Sequence, residues 1–150
     1  MKKIILLIIT AIIFVGCNSI EKKEAKISKE IEIKNPWIRS AAAGMNTALF
    51  FDLKNNSEAD DSLVSVESDA AELIQIHETI KAPNGMMQMK EIGKVSVRKG
   101  TEMKFKPMGK HIMFILLHED LPAGDSVEVK FNFSKAKSMS QKVVVKDFTK

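Results

Sequence analysis

Residues 126–134, SVEVKFNFS, put Val127, Val129, Phe131 and Phe133 on one face of an extended chain and Glu128, Lys130 and Asn132 on the other. Side chains alternate across a strand, so a period of two fits a sheet with one buried face and does not fit a helix. The same period runs through most of the chain beyond Ile31. IEIKNPWIRS (31–40) and NTALFFDLKN (46–55) are expected strands, parted by the small-residue turn AAAGM. SLVSVES, AELIQIHE, MMQMKEI (86–92), KVSVRKG (94–100), EMKFK, HIMFILLH (111–118) and QKVVVKDF (141–148) complete the set. NNSEADD (55–61), APNG (82–85), PMGK and PAGD (122–125) separate them with turn chemistry. No window longer than ten residues in this region carries a convincing helical period. Eight to ten short strands with frequent turns predict an all-β, single-domain Greek-key sandwich or barrel.

The first residues follow different rules. Lys2 and Lys3 precede a 12-residue apolar run, Ile4 to Val15, which is short for a bilayer span. A basic start and a short apolar run are the marks of a secretory signal peptide. The run ends in FVGC, a small residue before a cysteine, which resembles the bacterial lipobox; Phe14 stands where that pattern prefers leucine. The reading is a lipoprotein signal peptide at 1–16, a lipidated Cys17 with a polar tether through 31, and a folded domain at 32–150. The protein is then expected outside the cytoplasm, lipid-anchored to a bacterial membrane at the periplasm or cell surface. Cys17 is the only cysteine, so the chain cannot form an internal disulfide and the domain supplies no thiolate ligand. Without Lys2 and Lys3 the net charge falls from +4 to +2, and no basic stripe with interleaved aromatics appears, which gives no case for nucleic-acid binding.

The folded part holds three histidines and eight methionines. Taken singly, each has an ordinary reading: methionine fills gaps in cores, and histidine is a surface or satisfied core residue. Their distribution is less ordinary. His111 and Met113 share one strand face, while Ile112, Phe114 and Leu116 form a core set on the other. Met87 and Met89 are also two apart, just after the APNG turn, and His77 ends the strand before it. A hairpin brings His77 beside MMQMKEI, so three segments can converge and gather two imidazoles and at least two thioethers. Such a set carries no negative charge. It suits Cu(I), which takes soft ligands, whereas Ca and Mg take oxygen and zinc normally takes Cys, His and carboxylate. A blue-copper electron-transfer site would need a cysteine thiolate, so the set favours carriage of copper over redox chemistry on it.

These residues resemble the periplasmic copper chaperones of the PCu(A)C family, whose motif is His, ten residues, Met, twenty-one residues, His, one residue, Met. This chain has His77, eleven residues, Met89, twenty-one residues, His111, Ile112 and Met113. The extra residue in the first gap fits the KAPNG turn, where an insertion is cheap. It leaves Met87 as a rival to Met89. NNSEADDSLVSV (55–66) and PAGDSVEV are also similar to family segments, and the resemblance covers about residues 35–147. It implies a cupredoxin-like fold, Cu(I) held by His77, Met89, His111 and Met113, and delivery of copper to an acceptor protein. That acceptor would be a cytochrome oxidase copper centre, with a thioredoxin-like Sco chaperone as a further partner.

The remaining candidates have plainer expectations. His118 should be a surface residue, and Asp60 and Asp61 should shape a loop. Met45 should pack, Met103 and Met108 should fill gaps, and Trp37 should be a core or rim aromatic. The rival function is a lipoprotein β-sandwich that binds a partner protein or glycan without metal. An enzyme is not expected: no nucleophile elbow, metallohydrolase signature or paired-carboxylate arrangement is present in the sequence.

Overall fold

A computed structural model describes residues 30–148. The expected signal peptide, Cys17 and most of the tether lie outside the described residues. Ten strands follow in order: β1 (Ile31–Arg39), β2 (Thr47–Asn55), β3 (Asp61–Glu67), β4 (Ala71–Lys81), β5 (Met87–Glu91), β6 (Val95–Val97), β7 (Glu102–Phe105), β8 (Lys110–Leu117), β9 (Ser126–Phe133) and β10 (Met139–Lys146). No helix occurs among the described residues. The all-β expectation holds, and the strands fall where the alternation put them.

The strands pair in one continuous order, β5-β4-β8-β7-β2-β1-β10-β9-β3-β6, with β8 also pairing directly with β2. Only β1–β10 and β7–β8 are parallel. The ladder closes over one core. Leu49, Phe51 and Leu53 of β2 and Ile112 and Phe114 of β8 share a buried cluster with Leu63 of β3, Val129 and Phe131 of β9, and Val143 and Val145 of β10. Phe51 stacks on Phe105 at 4.3 Å and meets the edge of Phe131 at 5.2 Å. Burying each such side chain is worth about 1.5–3 kcal/mol, so two facing apolar layers fix which side of every strand turns inward.

The alternation slips in two places. In β1 the inward position changes from Ile31 to Ile38, and the pairing with β2 shifts register between Lys34 and Trp37. Asn35 takes a positive φ of 50° beside Pro36, which has no amide to donate; together they make a bulge. In β8, Leu116 was expected in the core with Ile112 and Phe114. It is instead 51% exposed, and Leu117 is buried in its place. Leu116 has a φ of 56°, and its amide donates to Asn46 Oδ1 while the amide of Leu117 donates to the Met45 carbonyl. That turn of the backbone ends the regular period one residue early.

The loop expectations for Asp60 and Asp61 hold. Asp60 accepts from the amide of Lys99, and buried Asp61 accepts from the amides of Ser62, Lys135 and Ala136. Burial alone would raise the Asp61 carboxyl, but these amides and that of Ser134 outweigh it and hold the group below its ordinary value. Met103 is partly buried against the core, as a gap filler would be.

Candidate metal centre

The residues of interest occupy the outer face of β4, β5, β8 and β2, opposite the core. His77 of β4 lies directly across from His111 of β8, with ring centroids 5.8 Å apart. Met113 is two residues further along β8, across from Gln75 on one side and Ala48 on the other. On the hairpin side, Thr79 faces Met89, Lys81 faces Met87 and His77 faces Glu91. Met89 is thus one step from the His77 level and Met87 is two. On register, Met89 is the better neighbour of the histidine pair.

His111 is only 4% exposed although it lies on the outer face, because the Phe50 ring, 6.4 Å away, and His77 cover it. Trp37 packs on Phe50 at 4.7 Å and extends this cover to the rim, the place expected of it. The Nδ1–H of His111 donates to the Gly109 carbonyl at 3.0 Å. This bond fixes the tautomer and leaves Nε2 with its lone pair.

His77 has the complementary arrangement. Its Nε2–H donates to Gln75 Oε1 at 3.0 Å, and Gln75 Nε2 donates in turn to Glu91 Oε2 at 3.0 Å. His77 Nδ1 is buried and has no hydrogen-bond partner among the described residues. An orphaned buried nitrogen normally costs about 1–3 kcal/mol, so it marks a position where a ligand would recover free energy. Burial pushes the His77 imidazole below its ordinary value, the neighbouring His111 pushes it the same way, and Glu91 opposes them. His77 is therefore disposed to stay neutral, the form in which imidazole binds a metal.

A cleft of about 750 Å³ opens over this face, lined by His111, Phe50, Met89, Met87, Met108 and Met45 among others. No carboxylate among the described residues lines it. Among the described residues, no group of three or more His, Cys, Asp or Glu side chains could hold a metal ion. Any cation bound here would have to accept imidazole and thioether. Met45 and Met108 correct two expectations, since both are largely exposed on the cleft wall and neither packs nor fills a gap. Residue type and spacing bring His77, His111, Met113 and Met89 to one face, but the alternation gave no sign of Gln75 or Glu91. A glutamine on the same face as a candidate ligand, two residues away in the same strand, was the available signal. His118 lies apart, exposed, with its Nδ1 on the Asp69 carbonyl and its Nε2 3.6 Å from Glu72.

Comparison with known proteins agrees with this fold. Residues 31–145 match the family described as "Putative lipoprotein LpqE-like". A protein of Leifsonia xyli subsp. xyli named "Putative lipoprotein Lxx21020" is 33% identical over 120 residues, which cover 79% of this chain and 71% of that protein. Protein RP573 of Rickettsia prowazekii, uncharacterised, is 30% identical over 119 residues, covering 76% of this chain and 64% of its own length. Among solved structures, the copper-bound PCuAC domain from PmoF2 is similar with a TM-score of 0.66 at 22% identity, covering 79% of this chain and 93% of that one. The apo PCuAC domain from PmoF1 gives 0.68 at 21% identity, covering 79% and 94%. The Cu(I) form of DR1885 from Deinococcus radiodurans gives 0.62 at 20% identity, covering 82% and 84%. The chain belongs to the LpqE-like family, and its cupredoxin-like β-fold is that of the PCuAC domains.

Proposed function

We propose that this protein is an extracytoplasmic Cu(I) metallochaperone, anchored by a lipid on Cys17, that carries copper on His77, Met89, His111 and Met113. The observation that carries the reading is the His77–His111 pair on facing strands, with His77 Nδ1 buried and unpartnered among the described residues, on a face rich in thioethers. Two imidazole nitrogens and two thioethers make a soft, uncharged donor set of the kind Cu(I) takes and hard cations do not. Copper is the cargo. Of the four donors, Met89 is exposed on the cleft wall, so an acceptor's ligand can replace it first without unfolding the carrier.

The copper-bound PCuAC domain from PmoF2 and the Cu(I) form of DR1885 support the choice of metal. The family description and the Leifsonia relative support the anchor. The acceptor in this reading is a cytochrome oxidase copper centre, reached directly or through a Sco-like chaperone.

Anaerobic titration of the full chain carrying Cys17→Ser, against a chromogenic Cu(I) chelator, tests the site. One tight equivalent is expected, strongly weakened in His111→Ala and in Met113→Leu. Equal binding by all three proteins, or no tight binding by any, would return the face to the metal-free binding-module reading. A deletion strain tests the acceptor: oxidase activity should fall in copper-poor medium and recover with added copper.

A further inference from the structure

Half of the eight methionines in the described residues, Met45, Met87, Met89 and Met108, line the same cleft, and each is more than half exposed. An exposed methionine forfeits the burial that normally justifies it, and a set of them on one surface marks a binding face. Met108 is placed there against the preference of its own backbone. It is the third residue of the turn Lys106–Gly109, closed by the Gly109 amide on the Lys106 carbonyl at 3.0 Å. Its φ is 60°. A turn with Pro107 second and a positive φ third asks for glycine or asparagine at that third position. A long side chain is held there instead, in a strained conformation and 67% exposed. Strain of this kind persists where the site makes use of it.

The register brings a second thioether close. The Thr79 amide donates to the Gly109 carbonyl at 3.1 Å, and Thr79 pairs with Met89, so Met89 on β5, Thr79 on β4 and Gly109 just before β8 form one level. Met108 precedes Gly109, and Met87 is two residues before Met89 on the same strand face. Two strand spacings, about 10 Å, separate the Gly109 and Met89 backbones, and the neighbouring Met108 and Met87 both line the cleft.

The geometry points to a second soft-cation position in this cleft, formed by Met87 and Met108 and distinct from the histidine pair. It would take Cu(I) or another monovalent soft ion weakly, through thioethers alone, and pass it to or from the inner ligands. This inference rests on the proposed copper site, and the test separates the two. Ag(I), which is redox-inert under these conditions and has the same ligand preference as Cu(I), is titrated into the full chain with Cys17→Ser. The readout is the 13C-labelled methionine ε-methyl NMR signals, assigned by single Met→Leu variants.

The first equivalent is expected to move Met89 and Met113, and the second to move Met87 and Met108. Met108→Leu should abolish the second response at Met87 while leaving the first unchanged, and should slow Ag(I) transfer to an external chelator several-fold. Met108→Gly should do the same while raising the unfolding temperature, because it removes the strain along with the sulfur; this variant keeps the test intact if the leucine variant folds poorly. Silence of Met87 and Met108 through the second equivalent, or an undiminished Met87 response in both variants, would overturn the second position. Silence of Met89 and Met113 at the first equivalent would instead overturn the inner site.

Discussion

Gln75 ties His77 to Glu91, and its removal gives a sharp test of how the histidine is prepared. In Gln75→Leu the side chain that accepts from His77 Nε2–H and donates to Glu91, each at 3.0 Å, is lost. The imidazole can then rotate or move its proton to Nδ1, the nitrogen that has no partner in the fold. Loss of a group that orients a ligand costs roughly 10- to 100-fold in metal affinity, or about 1.4–2.7 kcal/mol. The stability cost is smaller, about 1 kcal/mol for two partly exposed hydrogen bonds. Competition with a Cu(I) chelator measures the first, urea unfolding of the apo protein measures the second, and long-range 1H–15N spectra report the His77 tautomer. Gln75→Glu separates positioning from mere packing. Its carboxylate still accepts from His77 Nε2–H but faces Glu91, so it should lower stability while holding copper affinity near that of the wild type. The reasoning fails if Gln75→Leu binds Cu(I) as tightly as the wild type, or if Gln75→Glu loses as much affinity as Gln75→Leu.

Two further predictions concern the frame. Asn55 is fully buried and donates to the carbonyls of Ala59 and Val97, both at 2.9 Å; Asn55→Ala should cost about 2–4 kcal/mol in urea unfolding and leave copper stoichiometry unchanged, and a loss under about 1 kcal/mol would contradict the burial argument. Asp61 has a folded carboxyl below its ordinary value of 3.8, so its contribution is complete above that value and is lost as pH falls through the lower, folded one. The stability gap between wild type and Asp61→Asn should therefore be wide at about pH 6 and narrow at about pH 3, and a gap that widens on acidification would reverse the assignment.

Most of the frame was legible because one rule, alternation, governs strands with one buried face. Val127, Val129 and Phe131 are buried on β9 as their spacing demanded, and β4 and β8 present His77 and His111 to the same side for the same reason. The rule failed where the backbone left the extended region. Nothing in the apolar pattern of HIMFILLH distinguishes Leu116 from Phe114; the difference lies in Asn46, a residue seventy positions away whose side chain captures the Leu116 amide. The exposed methionines depart from the pattern for a related reason. Composition says that methionine fills cores, but Met45 and Met108 stand in turns on the cleft wall, where no second layer among the described residues covers them. The strained φ of Met108 is visible only in three dimensions.

Under the copper reading, the site joins two kinds of support. His111 belongs to β8, which pairs with β4, β7 and β2, and its ring is almost wholly covered. Met89 belongs to β5, the terminal strand of the ladder, which among the described residues hydrogen-bonds to β4 alone and has every residue exposed. Local opening costs least where few buried contacts and few backbone bonds resist it. A fluctuation of β5 can thus withdraw one thioether while the His77–His111 pair stays in register. That inequality suits a carrier. A cage of four equally buried donors would hold copper tightly and release it only on the timescale of unfolding, whereas four exposed donors would not exclude competing ligands. With the imidazoles fixed in the sheet and a thioether on its edge, the buried pair sets how tightly the ion is held and the edge strand sets how fast it leaves.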